Sequence, residues 1–345
     1  MTENGNSPAH ALLRAGFPYV KTVGMIRTTP QPVDVALGSE NRLYVLSRGR
    51  FVAIFVNTLD DEYPLSRSNI GGPGKADGQF LWPTCVVLDG EENLYVPDEA
   101  LHRVNVFDRD GSFLRKWGEH GDGDGQLNRP SGMAFDAEEN VYLSDALNHR
   151  VQKFTNEGKF LLKWGGLGDA EGQFNMPWGI KVDELGDVYV ADWRNDRVQK
   201  FNAEGKFLFA FGSSGSEKGQ FNRPAGVEVD ADGDIYVADA GNDRVQQFNV
   251  DGLYMEQFLG DATLSKSMRR YVLSNGRTLR LREMASDLEA QKRFRNPRSV
   301  RLDDQARMYV PDFDSFRIQI YQKDVVPLAE GEIDVPLRAP TLFTT

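Results

Sequence analysis

An all-β fold, a six-bladed β-propeller of four-stranded antiparallel blades, is predicted by three observations. First, one unit recurs along the chain. The stretch GQFNRPAGVEVDADGDIYVADAGNDRVQQFNVDGLYMEQFLG (219–260) has close copies upstream, anchored on Pro224, Pro177, Pro130 and Pro83 at a constant spacing of 47 residues. A fixed period of this size marks supersecondary units that bury their faces against one another. Second, each unit holds four short runs of alternating pattern separated by Gly/Asp turns, which is how antiparallel hairpins read. Third, the final copy lacks its fourth run, and a matching run stands near the chain start.

The elements follow in order within a unit. In the 219–260 copy, Gly226–Asp230 forms the first strand after the proline, and Ala231–Asp234 is an Asp-Gly turn. Ile235–Asp239 is the second strand and Arg244–Phe248 the third. An Asp-Gly turn at 251–252 leads into the fourth, which ends at Phe258. Worn copies flank the four regular ones: Gln31–Phe55 upstream, and Arg295–Tyr321 downstream after a 26-residue insertion. That makes six. Phe17–Gly24 aligns with Lys159–Gly165, so the N-terminal strand is expected to complete the last blade and close the ring. The propeller then spans 17–321, with 1–16 and 322–345 as tails. Inside the insertion (261–293), Asn275-Gly276 between β-prone runs signals a hairpin, and Arg282–Lys292 has helical spacing.

Composition narrows the function classes. A net charge of −11 over 345 residues argues against a broad nucleic-acid surface. Cys85 is the single cysteine, which excludes an intramolecular disulfide. No run has the length of a transmembrane segment or the make-up of a signal peptide, so a cytoplasmic protein without membrane contact is expected.

The pattern GQFNxPxG, then D-x-x-G-(D/N)-(I/V)-Y-V-A-D, then N-(H/D)-R-V-Q-x-F, resembles the NHL repeat, and Asn148-His149-Arg150 nearly spells its name. The resemblance implies protein- or RNA-binding propellers or peptide-amidating lyases, with lactonases and other hydrolases as more distant relatives. Fold therefore leaves the chemistry open. Amidating-lyase relatives hold a catalytic metal with several histidines, whereas this chain has only His10, His102, His120 and His149. Lactonase-type relatives hold a divalent cation with channel carboxylates. No cofactor is predicted; calcium or zinc stays open as a metal.

Residues repeated in every blade serve what all blades share. The Asp–Arg pairs 98/103, 145/150, 192/197, 239/244 and 312/317 are therefore structural, and the Asp/Gly clusters 121–125 and 230–234 are turns. Function belongs where copies differ. The resemblance puts the inter-blade connections and the loops between second and third strands on one face, around the channel mouth. Deviant residues there are Trp178, Trp193, Arg194, Phe313 and Phe316 as ligand contacts, with Asp34 and Arg48 as an acid–base pair. Trp82, Trp117 and Trp164 read as packing residues. The insertion carries eight Lys/Arg against four Asp/Glu, and a basic lid offering Arg269, Arg270 and Tyr271 to the mouth is expected. These features suit a small organic, anionic ligand or a protein partner. A small-molecule hydrolase or lyase at the same mouth is the alternative.

Overall fold

The computed structural model describes residues 12–26, 28–59, 69–284 and 286–327. Six antiparallel sheets stand in a ring, each with its first strand facing the central channel. Blade three is typical: Pro130–Phe135, Val141–Asp145, Arg150–Phe154 and Phe160–Gly165 lie in sequence order from the channel outwards. Blades two, four and five repeat this order. Blade one has Pro32–Leu37, Arg42–Ser47 and Ala53–Thr58, with Ile70 bridging Ile54 on the outer side. Blade six takes its outer strand, Tyr19–Val23, from the N-terminus, where it pairs with Arg317–Gln322. The ring is closed as the sequence implies.

Each blade interface holds one apolar cluster. Val33, Leu46 and Ile54 of blade one meet Val86, Val96 and Phe107 of blade two, and five similar clusters complete the circuit. The repeated tyrosine of the second strand (Tyr44, Tyr95, Tyr142, Tyr189, Tyr236, Tyr309) is fully buried in all six blades. Burial of these faces between neighbours is what makes a single blade dependent on the next. Trp117 and Trp164 pack in these interfaces as expected.

Three expectations are corrected. Where a hairpin is expected around Asn275-Gly276, two helices form: α1 (Lys266–Ser274) and α2 (Gly276–Glu283). Asn275 is a cap, not a turn residue: its side chain accepts from the amides of Arg277 (3.1 Å) and Thr278 (3.2 Å). The helix expected over 282–292 does not form. Arg282 and Glu283 end α2, and the described residues after them are turns and bends, with Asp287 accepting from the Ala290 amide. Finally, part of each expected tail is paired, Leu12–Gly16 lying against Asp324–Pro327. The rest of both tails lies outside the described residues. No helix among the described residues is long and apolar enough to cross a membrane.

Candidate functional site

The repeated residues build the mouth before any ligand-facing residue is considered. Asp145 is fully buried at the end of its strand. One carboxylate oxygen accepts from the Asn128 amide (2.6 Å); the other accepts from Arg150 Nε (2.8 Å), Asn148 (2.8 Å) and Gln152 (3.1 Å). Arg150 then donates to the carbonyls of Asp122, Gly123 and Gln126, riveting the connection that enters the blade. Asp192 and Asp239 do the same in blades four and five. These are charge-assisted bonds sealed from water.

The alternation of His and Asp before the arginine also has a cause. His102 and His149 use Nδ1 to accept from the amides of Arg129 and Met176 in the next blade (both 3.1 Å). Asp196 and Asp243 accept likewise from Arg223 (2.7 Å) and Asn296 (2.6 Å). The donors sit in left-handed backbone, with φ between 56° and 58°, and each donor's amide is held by the preceding blade. Any acceptor of suitable reach fits that position. Burial lowers the pKa of both histidines, as a ring nitrogen that must accept requires.

Within the mouth lies a cavity of about 170 Å³. Its wall has two halves. At the second residue past the proline, blades three to five carry Gly132, Gly179 and Gly226. A β-carbon there would come within 2.2, 2.7 and 2.9 Å of the next blade's backbone. Inner strands therefore pack backbone to backbone on that side. The same column holds Ser299, Asp34 and Cys85 in blades six, one and two, so side chains fill the other half. Asp34 is fully buried. It accepts from Arg301 Nε (2.9 Å) and Nη2 (2.5 Å), Ser299 Oγ (2.5 Å) and the Val86 amide (3.0 Å). Arg301 also faces Glu228 (3.6 Å), which pairs with Lys181. The chain Asp34–Arg301–Glu228–Lys181 runs round the channel wall from blade one through six and five to four, with its charges balanced. Burial pushes the Cys85 thiol well above its ordinary range, and Asp34 adds to the rise.

Above this floor stand Arg48, Arg298, Trp178 and Phe313. Arg48 lies over the Trp82 ring (4.5 Å) and pairs with buried Glu99 (3.4 Å), which Arg129 also contacts. Arg298 lies over Phe313 (5.0 Å), and its buried Nε has no hydrogen-bond partner. Burial, then the nearby Arg48, pushes its guanidinium pKa down. Trp178 meets Trp193 at 6.0 Å, and Arg194 (5.6 Å) and Arg223 (5.0 Å) both stack on Trp193.

The profile of the NHL repeat matches residues 127–154, 174–201 and 221–248, the hearts of blades three to five. The chain is an NHL-repeat propeller. Solved structures share the fold at low identity. Virginiamycin B lyase from Staphylococcus aureus is 12% identical, with a TM-score of 0.56 over 89% of this chain and 99% of that one. A catalytically inactive variant of that lyase, bound to quinupristin, gives 9%, 0.58 and the same coverage. A protein of unknown function from Bacteroides thetaiotaomicron is 17% identical, with a TM-score of 0.58 over 89% of this chain and 72% of that one. No curated protein is significantly similar in sequence.

In this NHL propeller the expected site residues divide. Asp34, Arg48, Trp178 and Phe313 line the cavity. Trp193 and Arg194 reach it only through Trp178. Phe316 does not line it; its left-handed backbone offers a carbonyl to Thr29 Oγ1 (2.7 Å) at the junction of blades six and one. The lid is displaced. Arg269 and Arg270 line a groove beside Val20, Lys21 and Thr22 of blade six's outer strand, and exposed Tyr271 follows them in α1. Hydrogen bonds from Thr263 to Tyr19 and from Asp261 to Tyr321 hold the insertion to that flank. Asp34 and Arg48 do not pair, since each is committed to another partner. Trp82, expected as a packing residue, is 50% exposed and carries Arg48.

Sequence reasoning passed over Arg298, although it deviates in the same column as Trp178. It also missed Lys181, Glu228 and Arg301, which share the fourth column past the proline. A metal does not fit these residues. Asp34 is saturated, His102 and His149 are turned to backbone amides, and the 230–234 acids hold the ammonium of Lys323 (2.6, 2.8 and 3.1 Å). Among the described residues no three His, Cys, Asp or Glu side chains could hold one.

Proposed function

We propose that this NHL propeller recognises a small organic anion at its channel mouth. One observation carries the reading: Arg298 lines the cavity with its buried Nε unpartnered and no acid hydrogen-bonded to it among the described residues, while Arg301 is met by Asp34 and Arg48 shares Glu99 with Arg129. A desolvated guanidinium is costly without a counter-charge, and a bound anion supplies one. Trp178 and Phe313 give the apolar contact that such a ligand needs. Asp34 is structural in this reading, because all its acceptor positions are filled. A thermal-shift screen of small organic acids is the test. Hits that disappear in Arg298→Gln and weaken in Trp178→Ala support the reading; hits indifferent to Arg298→Gln overturn it.

A lyase acting at the same mouth is the second reading, favoured by the shared fold of the streptogramin-type lyases. Incubation with quinupristin followed by chromatography and tandem mass spectrometry decides it, because ring opening by elimination leaves the mass unchanged but alters retention and fragmentation. The expected result is unchanged retention and fragmentation, because no described group on the cavity wall is a free acid or base.

A further inference from the structure

Resting on that reading, we infer that the anion is a carboxylate borne on a single flat aromatic ring. The charge on the wall comes first. Arg301 is met by Asp34, and Arg48 shares Glu99 with Arg129, so Arg298 is the wall cation that makes no ion pair among the described residues. Arg298 is backed by the Phe313 ring at 5.0 Å, which fixes the guanidinium as a planar fork. Carboxylates meet such a fork with two parallel bonds.

The remaining wall sets the shape of what the carboxylate hangs on. Gly132, Gly179 and Gly226 leave bare peptide planes, and they are bare of necessity, because a β-carbon would strike the neighbouring blade. Trp178 adds aromatic surface. Flat backbone and aromatic surface favour a flat ring over a puckered one. A volume of about 170 Å³ has room for one substituted ring. The hydroxyl protons of Thr84 and Ser131 are already given to the carbonyls of Ser131 (2.7 Å) and Pro177 (2.9 Å). Their oxygens keep lone pairs, so an O–H or N–H on the far side of the ring finds an acceptor.

The test is calorimetry on the full chain with four probes: 4-hydroxybenzoate, cyclohexanecarboxylate, 4-hydroxybenzamide and phenyl phosphate. 4-Hydroxybenzoate is expected to bind best, by about tenfold over each of the others, and to lose about tenfold in Arg298→Gln, as a lost charge-assisted hydrogen bond implies. Phe313→Leu should narrow the preference over cyclohexanecarboxylate while leaving the fold intact by circular dichroism. Equal or tighter binding of cyclohexanecarboxylate or phenyl phosphate, still dependent on Arg298, overturns the ligand class and leaves the anion reading standing. Equal binding of the uncharged benzamide overturns both. Binding of none of the four overturns the inference, and the organic-acid screen then decides the broader reading.

Discussion

Blades three to five and blades six, one and two are built from one plan and do different work. In blades three to five, each Asp–Arg–Asn–Gln set is complete, and the channel column is glycine. In the other half the set decays. Ser47 stands at the aspartate position with its hydroxyl buried and unpartnered, and Asp98 takes four backbone amides without Arg103. That half delivers Asp34, Arg48, Arg298 and Phe313 to the cavity. The repeated half holds the ring, and departures from the repeat make the site. Trp178 is the exception, a deviant side chain within the regular half.

The largest expected effect breaks the repeated network. Asp239→Ala leaves Arg244 and the Asn222 amide without their acceptor, and should cost about 3–5 kcal/mol in denaturant unfolding. Ser47→Ala, at the equivalent position of blade one, should be near neutral because it removes a hydroxyl that bonds nothing. Similar losses from both would erase the distinction between the two halves. Next comes the channel column. Gly132→Ala would press a β-carbon to 2.2 Å from the Trp178 carbonyl, and a loss of about 1–3 kcal/mol is expected. Cys85→Ala, in the same column, should cost clearly less, and equal melting temperatures would refute the two-sided wall.

The smallest effect is a pH dependence. His102 and His149 are held neutral in the folded state, with pKa values below those of the unfolded chain. Their contribution is therefore complete above the unfolded value of about 6.5 and is lost as pH falls through the lower folded values. The double variant His102→Asn, His149→Asn keeps an acceptor and should flatten the fall in melting temperature below about pH 6.5. An unchanged slope would mean that the interblade acceptors do not titrate.

The fold was legible in the sequence because its cause is local and repeated. Each unit carries its own alternation, turns and anchoring proline, so blade number, strand order and closure by Phe17–Gly24 follow from spacing. The insertion was misread for the opposite reason. It occurs once, and Asn275 serves equally as a turn residue or a helix cap. Only the packing of α1 against the flank of blade six selects between them. The site falls between these cases. Its columns are visible in the alignment of the copies with one another, and four of the expected residues do line the cavity. Which charges cancel is not visible, because Asp34 and Arg301 lie 267 positions apart and meet only when the last blade closes on the first. Sequence by itself determined the ring and the columns that face its channel. Closure of the ring decided that Asp34 is spent on Arg301 and that Arg298 makes no ion pair among the described residues, since pairing depends on contacts between blades that no local pattern encodes.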